Sequence, residues 1–122
     1  MPTVIIKWFA QPEDHDYPAA RSYLSLVYPP HAAEQHVADL KTAPVNQFKA
    51  KDIFRASGLA LLGTSNSHVQ KNIEKIRAGG SLSPVLLVRD TTVGKVVIAD
   101  GYHRVCAVYT FDEDAIIPCK IV

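Results

Sequence analysis

One short segment gathers side chains suited to holding an anion. In Ile98-Ala99-Asp100-Gly101-Tyr102-His103-Arg104-Val105-Cys106-Ala107-Val108, a β-forming run stops at Asp100. Gly101 turns the chain, and a helix-forming run begins at Tyr102. A strand–turn–helix of this kind puts unpaired backbone N–H groups and the positive end of the helix dipole at the turn. A glycine there lets backbone approach a ligand closely. Arg104 adds a planar fork that matches a tetrahedral oxyanion, and His103 adds a donor whose charge changes near neutral pH. The segment therefore reads as an anion site of the helix-start type, with Gly101, His103 and Arg104 as ligands.

A second group falls on the run Ser67–Ala78. His68, Lys71 and Lys75 stand at i, i+3 and i+7 and form one stripe of a helix, opposite the apolar stripe of Val69, Ile73 and Ile76. Alone, such a stripe is the solvated face of an amphipathic helix. It becomes the wall of a phosphate pocket if the fold brings Arg104 beside it. Charge supports the same region. Residues 41–80 hold seven basic and two acidic side chains, whereas residues 1–40 hold two basic and five acidic ones, within a chain of net charge +1. A compact basic region suits a small anion better than the broad field duplex nucleic acid requires.

Other candidate groups carry less. Cys106 and Cys119 are the only cysteines; their spacing fits no zinc pattern and both read as small core residues. His15, His31 and His36 lack metal-ligand spacing, so no metal site is expected. Trp8 and Phe9 read as core.

The elements that must position these groups follow from periodicity and breakers. Thr3 to Phe9 is β-branched and aromatic and predicts a first strand. Pro18 can open a helix with Ala19, Tyr23, Leu24 and Val27 inward, ended by Pro29-Pro30. Residues 31–41 predict a helix with Ala33, Val37 and Leu40 on one stripe. Val45 to Phe48 predicts a strand, and 51–57 a short helix with Ile53 and Phe54 inward. Asn66 or Ser67 caps the helix over 68–78, which Gly79-Gly80 ends. Val85 to Val88 and Lys95 to Asp100 predict a hairpin, and Tyr102 onward a helix. Ala115 to Val122 predicts a last strand, with Pro118 placing it at an edge or bulge. With 122 residues, 48% hydrophobic and 20% charged, the chain fits one ordered α+β domain. No apolar run approaches the ~20 residues of a membrane span. The N-terminus lacks the features of a signal peptide, so a cytoplasmic location is the expectation.

From about Lys49 to Val122 the chain resembles the ParB/sulfiredoxin superfamily domain. The resemblance rests on Ser83-Pro84-Val85-Leu86-Leu87-Val88-Arg89, on Asp100-Gly101-Tyr102-His103-Arg104 with Ala107, and on Ile117-Pro118-Cys119-Lys120-Ile121-Val122, in that order. It implies a small mixed sheet flanked by helices over 46–122, with 1–45 as a family-specific N-terminal extension. It also implies nucleotide phosphates (ATP, ADP or CTP) at Gly101, His103 and Arg104. His68, Lys71 and Lys75 match the helix that faces the phosphates in sulfiredoxin. Sulfiredoxins carry a catalytic cysteine where this chain has Tyr102, with Cys106 a helical turn further on. ParB partition proteins carry a different pair at Tyr102-His103 and a following helix-turn-helix domain. Free-serine kinases carry Asp-Gly-His-His-Arg, one residue away from the turn here. That branch implies that Asp100 orients a hydroxyl or holds Mg²⁺, and that a further acidic residue contributes, for which Asp52 is the nearest candidate.

The expected function is therefore a nucleotide- or phosphate-binding protein. If it is catalytic, Asp100 and His103 serve a phosphotransferase or nucleotide hydrolase reaction and Lys71 neutralises phosphate. The alternatives are a non-catalytic module binding a protein partner through residues 1–45, and a DNA-associated ParB-like protein using residues 41–80.

Overall fold

A computed structural model describes residues 4–122. The chain folds as an α+β structure around a four-stranded sheet. The elements are β1 (Lys7–Trp8), α1 (Asp16–Val27), α2 (Pro30–Thr42), β2 (Asn46–Lys49), α3 (Ala50–Ser57), α4 (Ser67–Arg77), β3 (Ser81–Leu82), β4 (Val85–Asp90), β5 (Lys95–Asp100), α5 (Tyr102–Phe111) and β6 (Ile116–Ile121). The sheet order is β2-β6-β4-β5. β4 and β5 form the expected antiparallel hairpin, β6 runs parallel to β4, and β2 runs antiparallel to β6.

Alternation along β4 explains the layers. Val85 and Leu87 point to one face and join Val69, Ile73 and Ile76 of α4, Ile53 of α3 and Val105 and Val108 of α5. Leu86 and Val88 point to the other face and meet Ala20 and Leu24 of α1 and Ala33, Val37 and Leu40 of α2. All four β4 side chains are buried, as a strand covered on both faces requires. The second layer comes wholly from residues 1–45. This segment is thus the cover of one sheet face, and its removal would strip water-excluding contacts from Leu86, Val88 and Ala99.

Four sequence expectations change. Phe9, expected in the core, is 44% exposed. The strand expected over 3–9 is only Lys7–Trp8; it pairs in parallel with β3, outside the main sheet, and Thr3 lies outside the described residues. On α1 the buried stripe is Ala20 and Leu24, with Ala19, Tyr23 and Val27 facing outward. Both faces of that helix carry apolar residues, so periodicity alone could not choose between them. Finally, β6 is interior and not an edge strand. Pro118 is tolerated because pairing with β4 begins only at Cys119, leaving β2 as its sole neighbour strand there. Lys120, 3% exposed, donates from Nζ to the carbonyl of Lys41 at 3.0 Å, joining the C-terminal end of α2 to the sheet.

Candidate anion site at the starts of two helices

The strand–turn–helix around Gly101 forms as its residues dictate. β5 ends at Asp100, and Gly101 takes φ 110° at the N-cap of α5. Among the described residues no side chain caps this helix, so the amides of its first turn are open to an external acceptor. α4, in contrast, is capped by Asn66, whose Oδ1 accepts from the His68 and Val69 amides at 3.0 and 3.2 Å. The two helix starts converge: the His68 and His103 rings lie 4.8 Å apart between centroids, at 37°.

Between them is a cavity of about 250 Å³ lined by His68, Lys71, Asn72, Asp100, Gly101, His103 and Arg104. Six of the seven residues expected from the sequence therefore meet in one place. Lys75 does not. Two helical turns separate it from His68, and its aliphatic stem lies against Gly80. Asn72 is a lining residue that the charge pattern did not show, although its i+4 spacing from His68 puts it on the same helix face. Asp52 is also elsewhere: it sits on α3, pairs with Arg55 Nη2 at 2.5 Å, and does not line this cavity.

Arg104 is not a free cation. Its Nη2 donates to Asp100 Oδ2 at 3.0 Å and to the Pro84 carbonyl at 3.4 Å, with both charged side chains under one-fifth exposed. Its Nε is buried without a hydrogen-bond partner among the described residues. Asp100 in turn contacts Asp16, which is 2% exposed and takes the Glu13 amide on Oδ2 at 3.0 Å. The first turn of α1 thereby closes the back of the site, a contact across more than eighty residues.

These neighbours set protonation. Burial pushes the Asp100 carboxyl above its ordinary 3.8; the Arg104 charge opposes this and Asp16 adds to it. His103 is lowered from 6.5 by burial first, then by His68 and Arg104, which favours the neutral imidazole. Cys106 is fully buried and its thiol is raised by burial, and Cys119 is pushed up to about 12. Neither has the character of an activated nucleophile.

The raised Asp100 carboxyl links stability to pH. The folded state holds this proton more tightly than the unfolded chain does. The stability it contributes is thus present below 3.8 and is lost as pH rises through the raised folded value. Relative to Asp100→Asn, the unmodified protein should gain stability as pH falls from 7 toward 4. Urea unfolding at stepped pH measures this, and parallel pH profiles for the two proteins would remove the claim. A carboxyl ¹³C titration should place the Asp100 midpoint above the ordinary carboxylate range.

Mg²⁺ arriving with phosphates takes one or two carboxylates. It would be held by Asp100 alone among the carboxylates of this cavity, and Asp100 Oδ2 is engaged by Arg104. Among the described residues, no group of three or more His, Cys, Asp or Glu stands together as a metal site.

The basic middle third is dispersed. Lys51 pairs with Asp114 at 2.6 Å, Lys49 lies 3.8 Å from the same carboxylate, and Arg55 pairs with Asp52. Lys71 makes no ion pair among the described residues. No helix among the described residues is long and apolar enough to cross a membrane. No family model, curated protein or solved structure matches the chain.

Proposed function

We propose that the cavity between α4 and α5 binds a phosphate group, carried by a nucleotide such as ATP, ADP or CTP or by a small phosphorylated molecule. The observation that supports this best is the convergence of an uncapped helix start with His68, Lys71, His103 and Arg104 on one cavity of about 250 Å³. The resemblance of the Asp100–Arg104 turn to the ParB/sulfiredoxin superfamily points the same way. A volume of this size takes a phosphate or diphosphate and leaves a nucleobase outside. Free α5 amides supply oriented donors, Lys71 supplies a charge with no ion-pair partner among the described residues, and the neutral His103 gains a proton as negative charge arrives. If phosphoryl transfer or nucleotide hydrolysis takes place here, His103 and Asp100 are the side chains able to move a proton.

Calorimetry with ATP, ADP, CTP and inorganic phosphate, with and without Mg²⁺, tests the reading, together with amide shifts at residues 101–104. Heat is expected, with shifts at that turn and at the facing residues of α4. Absence of both for every ligand would sink it. Lys71→Ala should weaken binding about tenfold, since a charge-assisted contact contributes roughly 1.5–3 kcal/mol. Lys75→Ala should leave affinity within about twofold, because it lies outside the cavity. Equal losses in the two variants would mean that general charge, and not this cavity, attracts the anion.

A second reading draws on a groove of about 850 Å³ between residues 4–10 and the β2–β6 face, lined by Ile6, Trp8, Phe9, Ile116 and Pro118 among others. Phe9 and Ile116 are 44% and 46% exposed. In this reading the N-terminal segment binds a protein partner. Recovery of a partner that is lost with Phe9→Ser and Ile116→Ser would support it; unchanged recovery would count against it.

A further inference from the structure

The cavity walls are unequal in chemistry. His68, Lys71, His103, Arg104 and the first-turn amides of α5 all offer donors, and the neutral amide of Asn72 offers both a donor and an acceptor. Asp100 alone offers a carboxylate. That carboxylate is held from two sides. Arg104 Nη2 grips Oδ2 at 3.0 Å. Behind it stands Asp16, itself fixed by the Glu13 amide at 3.0 Å and faced by His15 Nε2 at 3.4 Å. The Arg104 hydrogen bond thus fixes Asp100 at the cavity wall. A carboxylate offers about four lone-pair sites, and Arg104 Nη2 takes one of them. With 18% of its side chain exposed, Asp100 still presents acceptor oxygen to the cavity it lines.

An oxyanion with lone pairs only would meet this wall oxygen against oxygen. An oxyanion that carries its own O–H converts the same contact into a charge-assisted hydrogen bond. We infer that Asp100 is a specificity-determining residue that selects oxyanions bearing a hydroxyl donor over fully deprotonated oxyanions of equal charge. The ligand is then hydrogen phosphate, or a phosphate monoester with a hydroxyl on the neighbouring carbon. The inference rests on the anion-binding reading of the cavity and adds which anion it accepts.

The test is calorimetry at pH 8, at fixed ionic strength and without divalent cations. The probes are inorganic phosphate, glycerol 1-phosphate, methyl phosphate and sulfate, all near charge −2 under these conditions. The first two carry the O–H and the last two do not. The better donor-bearing ligand should bind at least about tenfold tighter than sulfate or methyl phosphate, the ratio expected from one charged hydrogen bond. Asp100→Asn should raise sulfate affinity and bring the ratio within about twofold. Should that variant fail to fold, Asp16→Asn removes the rear carboxylate and must also narrow the ratio. Tighter binding of glycerol 1-phosphate than of phosphate assigns the donor to the ester's neighbouring hydroxyl; the reverse order assigns it to the phosphate O–H. Equal binding of all four anions, or a ratio unmoved in the substituted protein, overturns the selectivity and leaves anion binding intact. No binding of any probe overturns both.

Discussion

Arg104→Ala should reduce phosphate affinity about a hundredfold and also lower folding stability by roughly 2–4 kcal/mol. The two losses have separate causes. Binding falls because the guanidinium fork lines the cavity and a methyl group replaces it. Stability falls because Asp100 keeps its place beside the buried Asp16 but loses its counter-charge. An unpaired carboxylate next to a second one is costly, although the partial exposure of the pair keeps the cost below that of a fully buried ion pair. Two further variants separate the effects. Arg104→Lys keeps the charge without the fork, so it should recover more stability than binding. Arg104→Ala combined with Asp100→Asn removes the stranded charge. It should regain most of the stability while binding remains lost. Urea unfolding and calorimetry on the same preparations give both quantities. If Arg104→Ala binds phosphate normally, the guanidinium is only a partner for Asp100 and the cavity is no phosphate site.

Much of the scaffold around Arg104 was legible in one dimension because local rules acted alone. Val69, Ile73 and Ile76 repeat at helical spacing and are all buried. Asn66 stands where an N-cap is needed and accepts two amides. The hairpin of β4 and β5 follows from two apolar runs around a Gly94 turn at φ 66°. The gaps arise where local rules tie. α1 has apolar residues on both faces, and only the sheet beneath selects Ala20 and Leu24. β6 contains a proline yet lies inside the sheet, because its neighbours are staggered so that β4 starts one residue later.

The site divides in the same manner. Gly101, His103 and Arg104 were legible because they are adjacent and the turn itself creates the donor cluster. His68 and Lys71 were legible as a stripe, but whether that stripe faced water or Arg104 depended on how α4 and α5 pack. Lys75 fell away from the cavity because the stripe runs on past it. Asp16 had no local signal at all. An acidic residue in the first turn of a helix is ordinary, and only the tertiary contact of α1 with β5 turns it into a buried carboxylate behind Asp100. The pairing of Asp100 with Arg104 had no helix-spacing signal, because Asp100 ends β5 and is separated from α5 by the Gly101 turn. Its consequence, a cation already partly neutralised, required the buried geometry.

Gly101→Ala should destabilise the protein by about 2–5 kcal/mol and abolish anion binding with it. Two costs combine here. At φ 110° a side chain strains the backbone. A Cβ would also stand 2.9 Å from Arg104 Nη2 and 2.9 and 3.1 Å from the two methyl carbons of Val85. Val85 is fully buried in β4, so it cannot give way without disturbing the core. Arg104 must then move, and the grip on Asp100 and the cavity wall are lost together. Two other glycines isolate these contributions. Gly94→Ala carries positive φ with nothing within 4 Å of the new carbon, so its cost should stay near 1 kcal/mol. Gly63→Ala has neither positive φ nor a close neighbour, and it should leave stability unchanged or raise it by up to about 1 kcal/mol. Thermal and urea unfolding of the three variants should therefore rank Gly101→Ala far below Gly94→Ala, and Gly94→Ala below Gly63→Ala. If Gly101→Ala costs no more than Gly94→Ala, the close approach of Val85 and Arg104 to the turn is not the constraint that shapes the site.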